Sequence, residues 1–288
     1  MKIRDLLNVI GLRPKPKTYG FEIHTFGLTK DGPIEYAQWL HPRESGKAIT
    51  QESVDALREF LKPGDVAIDI GAHTGDTTIP MALAVGPTGC VLALEPNKFV
   101  FPVLEKNAEL NSGKGRILPL MFAATPEDGA LTFEYSDEGF CNGGLHEGVS
   151  RWKHGHAFKL AVQGRNLESY LRRNHPDLIP KIRYIKVDAE GYDLTILQSL
   201  AGLISEQRPY IRAEVFKHTN EAQRRSFFRF IASHGYAIHR MDSDSTYVRE
   251  PLANEDLTRR PHFDIFCIPV GAVCDRPLPP DSGEIGRS

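Results

Sequence analysis

Five carboxylates stand where apolar runs give way to short polar segments. They are Asp69 in "VAIDIGAHTGDTT", Glu95 in "LALEPN", Asp188 and Glu190 in "YIKVDAEGYDL", and Glu214 in "IRAEVF". A carboxylate at the end of a buried strand is fixed in place and partly stripped of water. It can neutralise a cation, accept from ligand hydroxyls, or take a proton once burial raises its affinity for one. His218, just beyond Glu214, is the side-chain type best matched to accepting a proton near neutral pH.

The stretch "DIGAHTGDTT" reads as strand end, glycine turn and helix start, the place where open α/β sheets bind ligands. A dinucleotide fingerprint GxGxxG starting at Gly71 needs glycine at two positions that hold His73 and Asp76. The imidazole obstructs close approach of backbone to pyrophosphate. The Asp76 carboxylate competes with phosphate for the positive end of the next helix. The pattern suits a phosphate-free ligand that is cationic at its reactive atom and carries an amino acid end, as S-adenosylmethionine does. On this reading Asp69 faces the positive charge, directly or through water. The N–H groups from Gly71 to Gly75 receive the ligand carboxylate, and Glu95 accepts from both ribose hydroxyls. Taken singly the residues have blander roles: Asp69 as a strand end, Asp76 as a first-turn acid, Glu95 before Pro96 as a turn residue. Glu95 alone suits NAD equally well.

Positioning these groups requires strands with helices between them, and the chain supplies that alternation. "VAID", "VLALE", "RILPLMFA", "YIKVD" and "YIRAEVF" read as strands, separated by helices at "TTIPMALAV", from Asn97 to about Leu110, at "YDLTILQSLAGL" and from Asn220 to His234. This predicts βαβ crossovers and a mostly parallel, doubly wound sheet. "YAIHRM" and "FDIFCIP" have no convincing helix between them and are expected to pair antiparallel. Ahead of the sheet, residues 20–41 alternate around a Lys-Asp-Gly turn and predict a hairpin. Thr50 is the expected N-cap of a helix with a stripe at Val54, Leu57, Phe60 and Leu61, stopped by Pro63-Gly64.

An insertion over about 125–165 carries strands "ALTFEY" and "FKLAVQG" around a glycine- and histidine-rich middle, read as a cover over the ligand face. Residues 1–48 form an N-terminal extension, 49–272 the main domain, and 273–288 a tail expected to be disordered. Ile3, Leu6, Leu7 and Ile10 recur at helical spacing. They predict a docking helix, with a membrane-surface or dimer contact as the alternative; no cleavage site follows.

At 288 residues with 41% hydrophobic and 25% charged residues, the chain has the composition of a soluble globule. Its formal net charge of −2 provides no field for nucleic acid, so no nucleic-acid partner is expected. The four cysteines, Cys90, Cys141, Cys267 and Cys274, form no CxxC pair, which argues against a zinc knuckle and for a cytoplasmic location.

"AIDIGAHTGDTT", "LALEPN", "FAAT", "CNGGL" and above all "YIKVDAEGYDLTIL" resemble the FkbM family of S-adenosylmethionine-dependent methyltransferases. The resemblance runs from about residue 50 to 216, more loosely to 270; His73 stands where the family more often has Asn. It implies a class I methyltransferase (Rossmann-like) fold and O-methylation of a hydroxyl on a sugar, glycoside or other natural product. It places the donor against Asp69, Gly71, His73, Gly75, Thr77, Glu95, Pro96, Asn97, Ala123, Ala124 and Asp188. From their places at the carboxyl edge of the sheet, Asp188 is read as base or orienter, Glu214 as a second carboxylate on acceptor hydroxyls, and His218 as proton acceptor. Glu190 has a second reading as the cap of the following helix. A divalent cation between Asp188 and Glu214, or at His154 and His156, lacks a third ligand and is not expected. Trp152 and Phe140 in the cover are candidates for stacking on a sugar ring. The rival readings are an NAD(P)-dependent oxidoreductase and a non-catalytic binder of the same donor. A homo-oligomer is left open.

Overall fold

The computed structural model describes residues 16–135, 143–144, 158–248 and 250–271. The predicted hairpin is β1 (Phe21–Leu28) and β2 (Gly32–Trp39), antiparallel about the Lys30-Asp31 turn. After it α1 (Gln51–Arg58) begins at Thr50, whose side chain accepts from the Ser53 N–H. Then follow β3 (Val66–Ile70), α2 (Thr78–Val85), β4 (Cys90–Leu94), α3 (Phe101–Leu110) and β5 (Ile117–Leu120). The insertion contributes β6 (Ala123–Ala124), β7 (Gly129–Tyr135), β8 (Gly143–Gly144) and β9 (Phe158–Arg165). The second half runs α4 (Leu167–Asn174), β10 (Ile182–Val187), α5 (Asp193–Ser199), α6 (Ala201–Gln207), β11 (Tyr210–Val215), α7 (Glu221–Ser233), β12 (Tyr236–Met241) and β13 (Phe263–Pro269).

Seven strands form the central sheet in the order β12-β13-β11-β10-β3-β4-β5. Neighbours from β5 to β11 are parallel, and β13 is antiparallel to both β11 and β12. This is a Rossmann-like, mostly parallel sheet with one strand reversed near its edge, the fold class the sequence predicts. The sequence suggests an antiparallel terminal pair. In the structure β13 inserts between β11 and β12, and β12 keeps the parallel sense.

Strands β3 and β4 are buried along their whole length, as strands covered on both faces must be. Ile68, Leu92, Ile185 and Ile211 pack into one core against α5, α6 and α7. Ala67, Val91, Tyr184 and Phe266 point the other way, toward α1 and α2.

The hairpin is not a loose appendage. Ile34 and Tyr36 are fully buried against Ile49, Val54 and Ile79. Asn107 of α3 ties three segments together: its Oδ1 accepts from Ala37 N at 2.6 Å, and its Nδ2 donates to Ala37 O at 3.1 Å and Thr74 O at 2.7 Å. The Tyr36 hydroxyl meets Thr74 Oγ1 at 2.6 Å. The glycine turn thus rests on the hairpin.

The insertion strands β7 and β9 pair antiparallel with Leu131 opposite Val162 and Phe133 opposite Leu160. Phe140, Trp152, His154 and His156 of the cover lie outside the described residues, as do the proposed N-terminal helix and the tail.

Candidate active site

A cavity of about 390 Å³ opens at the carboxyl edge of the sheet, between the turn after β3 and the turn after β10. Gly71, His73, Thr77, Glu95, Pro96, Asn97, Ala123, Ala124 and Asp188 line it. Asp69 and Gly75 do not; they sit beneath the wall and shape it. Gly71 has φ +79°, and a Cβ there would lie 2.1 Å from the Asp188 carbonyl oxygen. Only glycine lets the two turns meet so closely. Gly75 has φ +95°, and a Cβ there would come within 3.0 Å of a Leu104 side-chain methyl on α3.

Glu95 is buried at the cavity wall. Its Oε1 accepts from Asn97 N at 2.7 Å and its Oε2 from His73 N at 3.0 Å. Burial pushes its carboxyl up to about 7, against the pull of those two N–H groups. A carboxylate has about four acceptor positions, so this one keeps capacity for two ligand hydroxyls.

Two details of the glycine turn differ from the sequence expectation. Asp69 is fully buried beneath the cavity and is not part of its lining. Its Oδ1 lies 3.0 Å from Lys186 Nζ, and its Oδ2 accepts from Thr77 Oγ1 at 2.9 Å and Thr78 Oγ1 at 2.6 Å. The cause is lateral register: Lys186 sits opposite Asp69 on the neighbouring parallel strand. Nor are most of the amides from Gly71 to Gly75 left for a ligand carboxylate. Gly71 N and Ala72 N donate to Leu94 O, His73 N to Glu95, and Gly75 N to Ala72 O.

Lys186 is the main site residue that sequence reasoning passed over. The signal was a lysine inside the apolar strand "YIKVD", since an interior strand position seldom holds a charge without a partner. Its ammonium also reaches Gly71 O at 3.3 Å and lies 3.8 Å from Asp188 Oδ2. Burial works against its charge, but Asp69 and Asp188 outweigh that and raise its hold on the proton. The wall opposite comes from the segment after the hairpin, which brings Arg43, Glu44, Ser45 and Lys47. Lys47 pairs with Asp76 at 3.1 Å, which places the Asp76 carboxylate in an ion pair at the helix start.

Beside the cavity lies a second group of acids. Glu214 faces Asp188, Asp193, Glu190 and Asp264; burial first, then those charges, push its carboxyl up to about 9. Asp193, absent from the sequence reading, holds the turn instead of Glu190. Its Oδ2 accepts from Ala189 N and Gly191 N, and its Oδ1 from Glu214 N at 3.1 Å. Glu190 lines the cavity with φ +52°. His218 does not line the cavity: it is exposed, with its ring against Phe216 at 5.2 Å. Among the described residues no cluster of three or more His, Cys, Asp or Glu side chains could hold a metal ion.

Residues 69–239 match the FkbM methyltransferase domain, which is more than half of the chain. The chain belongs to the FkbM methyltransferase family. A curated relative, the hexuronic acid methyltransferase AglP of Haloferax volcanii, is 25% identical over 158 residues, covering 54% of this chain and 57% of AglP. A solved FkbM methyltransferase from Methylobacillus flagellatus superposes with a TM-score of 0.45 at 14% identity, covering 72% of this chain and 44% of that one. The Aeropyrum pernix fibrillarin solved with natively bound S-adenosyl-L-methionine gives 0.42 at 12% identity, covering 89% and 100%. This FkbM chain therefore spans little more than half the length of AglP. Among its described residues no helix is long and apolar enough to cross a membrane.

Proposed function

We propose that the protein is an S-adenosylmethionine-dependent O-methyltransferase acting on a hydroxyl of a sugar, glycoside or related natural product. The observation that carries this reading is the polarity of the cavity. Glu95, Asp188, Glu190, Glu44 and Asp76 line it against Arg43, Lys47 and Lys186, and the Gly71, Ala72, His73 and Gly75 amides are spent inside the protein. Pyrophosphate needs the reverse: open amides and a helix start free of carboxylate. A cationic nucleoside without phosphate suits this balance of charge better than NAD(P) does.

Glu95 takes the ribose hydroxyls. Ile70, Leu94, Phe122 and Ala124 offer an apolar slot beside it for the base. Asp69 serves from below by holding Lys186 and Thr77, both on the wall. When bound, the donor supplies an electrophilic methyl group on a sulfonium. Asp188, half exposed at the cavity and steadied by Lys186, orients the acceptor hydroxyl. Alignment of this kind is worth about 7–11 kcal/mol in favourable cases. AglP is named for acting on a hexuronic acid, and its kinship with this chain favours a carbohydrate acceptor.

The test is transfer of labelled methyl from the donor to a panel of glycosides and hydroxylated natural products. Wild type is expected to label at least one. Asp188→Ala should lower kcat at least about 100-fold with donor affinity within threefold. Donor binding without transfer to any acceptor would favour a non-catalytic binder.

A further inference from the structure

We propose that Lys47 receives the α-carboxylate of the methyl donor and Asp76 its α-ammonium. The amino-acid end of the ligand then docks on the ion pair between the segment after the hairpin and the start of α2. The assignment rests on the S-adenosylmethionine reading above. It accounts for the ligand carboxylate that the sequence pattern gives to the turn amides, most of which are spent inside the protein. Lys47 lies ahead of the part of the chain that matches the family.

The segment between β2 and α1 is held in place over the cavity. Gln38 is buried; its Oε1 accepts from Lys47 N at 2.7 Å, and its Nε2 donates to Ser45 O at 3.4 Å. His41 is buried with its ring 4.7 Å from those of Tyr19 and Trp39, and its Nδ1 accepts from Arg43 N at 3.1 Å. Glu44 N donates to His41 O at 2.9 Å. Ile49 closes the far end in the core with Ile79 of α2.

Four side chains meet on the stretch of wall that this segment forms. Lys47 Nζ lies 3.1 Å from Asp76 Oδ2 and 3.5 Å from Glu44 Oε1, and His73 Nδ1 lies 3.9 Å from Glu44 Oε1. All four residues line the cavity. Burial works against the Lys47 charge, but Asp76 and Glu44 outweigh it, so the side chain stays an ammonium. The Glu44 side chain is only 6% exposed, whereas Lys47 and Asp76 keep 27% and 25%. The inner acid therefore steadies the lysine, while the outer pair parts and closes again on a zwitterion, each end meeting its opposite charge. Lys186 is no substitute: it is 3% exposed and donates to Asp69 and Gly71 O.

The position along the wall agrees. His73 N donates to Glu95, the acid assigned to the ribose, and the His73 ring reaches Glu44. With φ +49°, His73 directs its N–H to one acid and its ring to the other. The seats for ribose and zwitterion are thus bridged by one residue, and the donor carries its ribose and its amino-acid group on either side of one sulfur.

Calorimetric titration with three ligands that share the adenosine decides this. They are S-adenosylmethionine, its decarboxylated form, and 5′-methylthioadenosine, which lacks the whole amino-acid end. In wild type, affinity should fall at least about tenfold from the first to the second. In Lys47→Gln, S-adenosylmethionine should weaken at least about tenfold while the decarboxylated form loses no more than about twofold, which erases that difference. In Asp76→Asn both ammonium-bearing ligands should weaken at least about fivefold, with methylthioadenosine within about twofold. Methylthioadenosine also reports an intact pocket in each variant. Equal losses for the first two ligands in Lys47→Gln, or no loss for either, overturns the proposal, as does a wild type that binds the two alike. A wild type that binds none of the three removes the donor reading itself, and the proposal with it.

Discussion

The Asp69 carboxylate and the Lys186 ammonium meet at 3.0 Å in the interior of the sheet, from residues opposite each other on β3 and β10. This pair joins the glycine turn to the turn that carries Asp188. Both groups are buried, so each is costly without the other. Lys186→Met should destabilise the fold by roughly 3–5 kcal/mol, the usual cost of stranding a buried charge. Asp69→Asn with Lys186→Met should recover most of that loss in urea unfolding. A double variant showing the plain sum of the two single losses would mean the groups do not depend on each other.

Glu95 gives a pH dependence of binding. Its carboxyl is pushed up to about 7 by burial, so it is mostly protonated below that and ionised above it. Ribose hydroxyls donate to the ionised form. Donor affinity should therefore rise with pH through about 7, by up to tenfold per unit on the acid side, and Glu95→Gln should flatten the curve. Calorimetric titration from pH 5.5 to 8.5 reads this directly. A flat wild-type curve would remove Glu95 from the ribose contact.

Gly71→Ala tests the meeting of the two turns. The added methyl would overlap the Asp188 carbonyl oxygen, and φ +79° disfavours any side chain. A loss of roughly 3 kcal/mol or more is expected, in the range of strained backbone substitutions. Gly129→Ala, where a Cβ meets nothing within 4 Å, is the control. Equal melting temperatures for the two variants would show that the turns can part without cost.

Glu214 should make the protein less stable as pH rises. An unfolded glutamate loses its proton near about 4.3, while the folded one is pushed up to about 9. Between those values the folded state binds more protons, so stability falls with rising pH across this window and levels off above about 9. Glu214→Gln removes that contribution and should melt higher than wild type at pH 8, with little difference at pH 4. The opposite order at pH 8 would show that Glu214 is ionised and well satisfied in the folded protein.

Much of the fold was legible because strand and helix periods and caps are local signals. Thr50 caps where the sequence places it, the helix expected from Asn220 to His234 forms over Glu221–Ser233, and the hairpin turns at its Lys-Asp-Gly. The placement of β13 between β11 and β12 was not legible, because strand order depends on contacts remote in sequence. For the same reason the site was read in part. Glu95 and the glycines carry their geometry in their neighbours. The ties from Asp69 to Lys186, from Asn107 to the hairpin and from Lys47 to Asp76 join residues far apart in the chain. His218 looked suitable by sequence proximity to Glu214, yet the structure leaves it exposed and outside the cavity lining.

The most direct test of the central claim is a calorimetric titration of the purified chain with S-adenosylmethionine and, separately, with NAD, for wild type and Glu95→Ala. One donor site per chain is expected in wild type, at least about tenfold weaker in Glu95→Ala, with no heat from NAD. Saturable NAD binding, or donor affinity equal in the two proteins, would contradict the account.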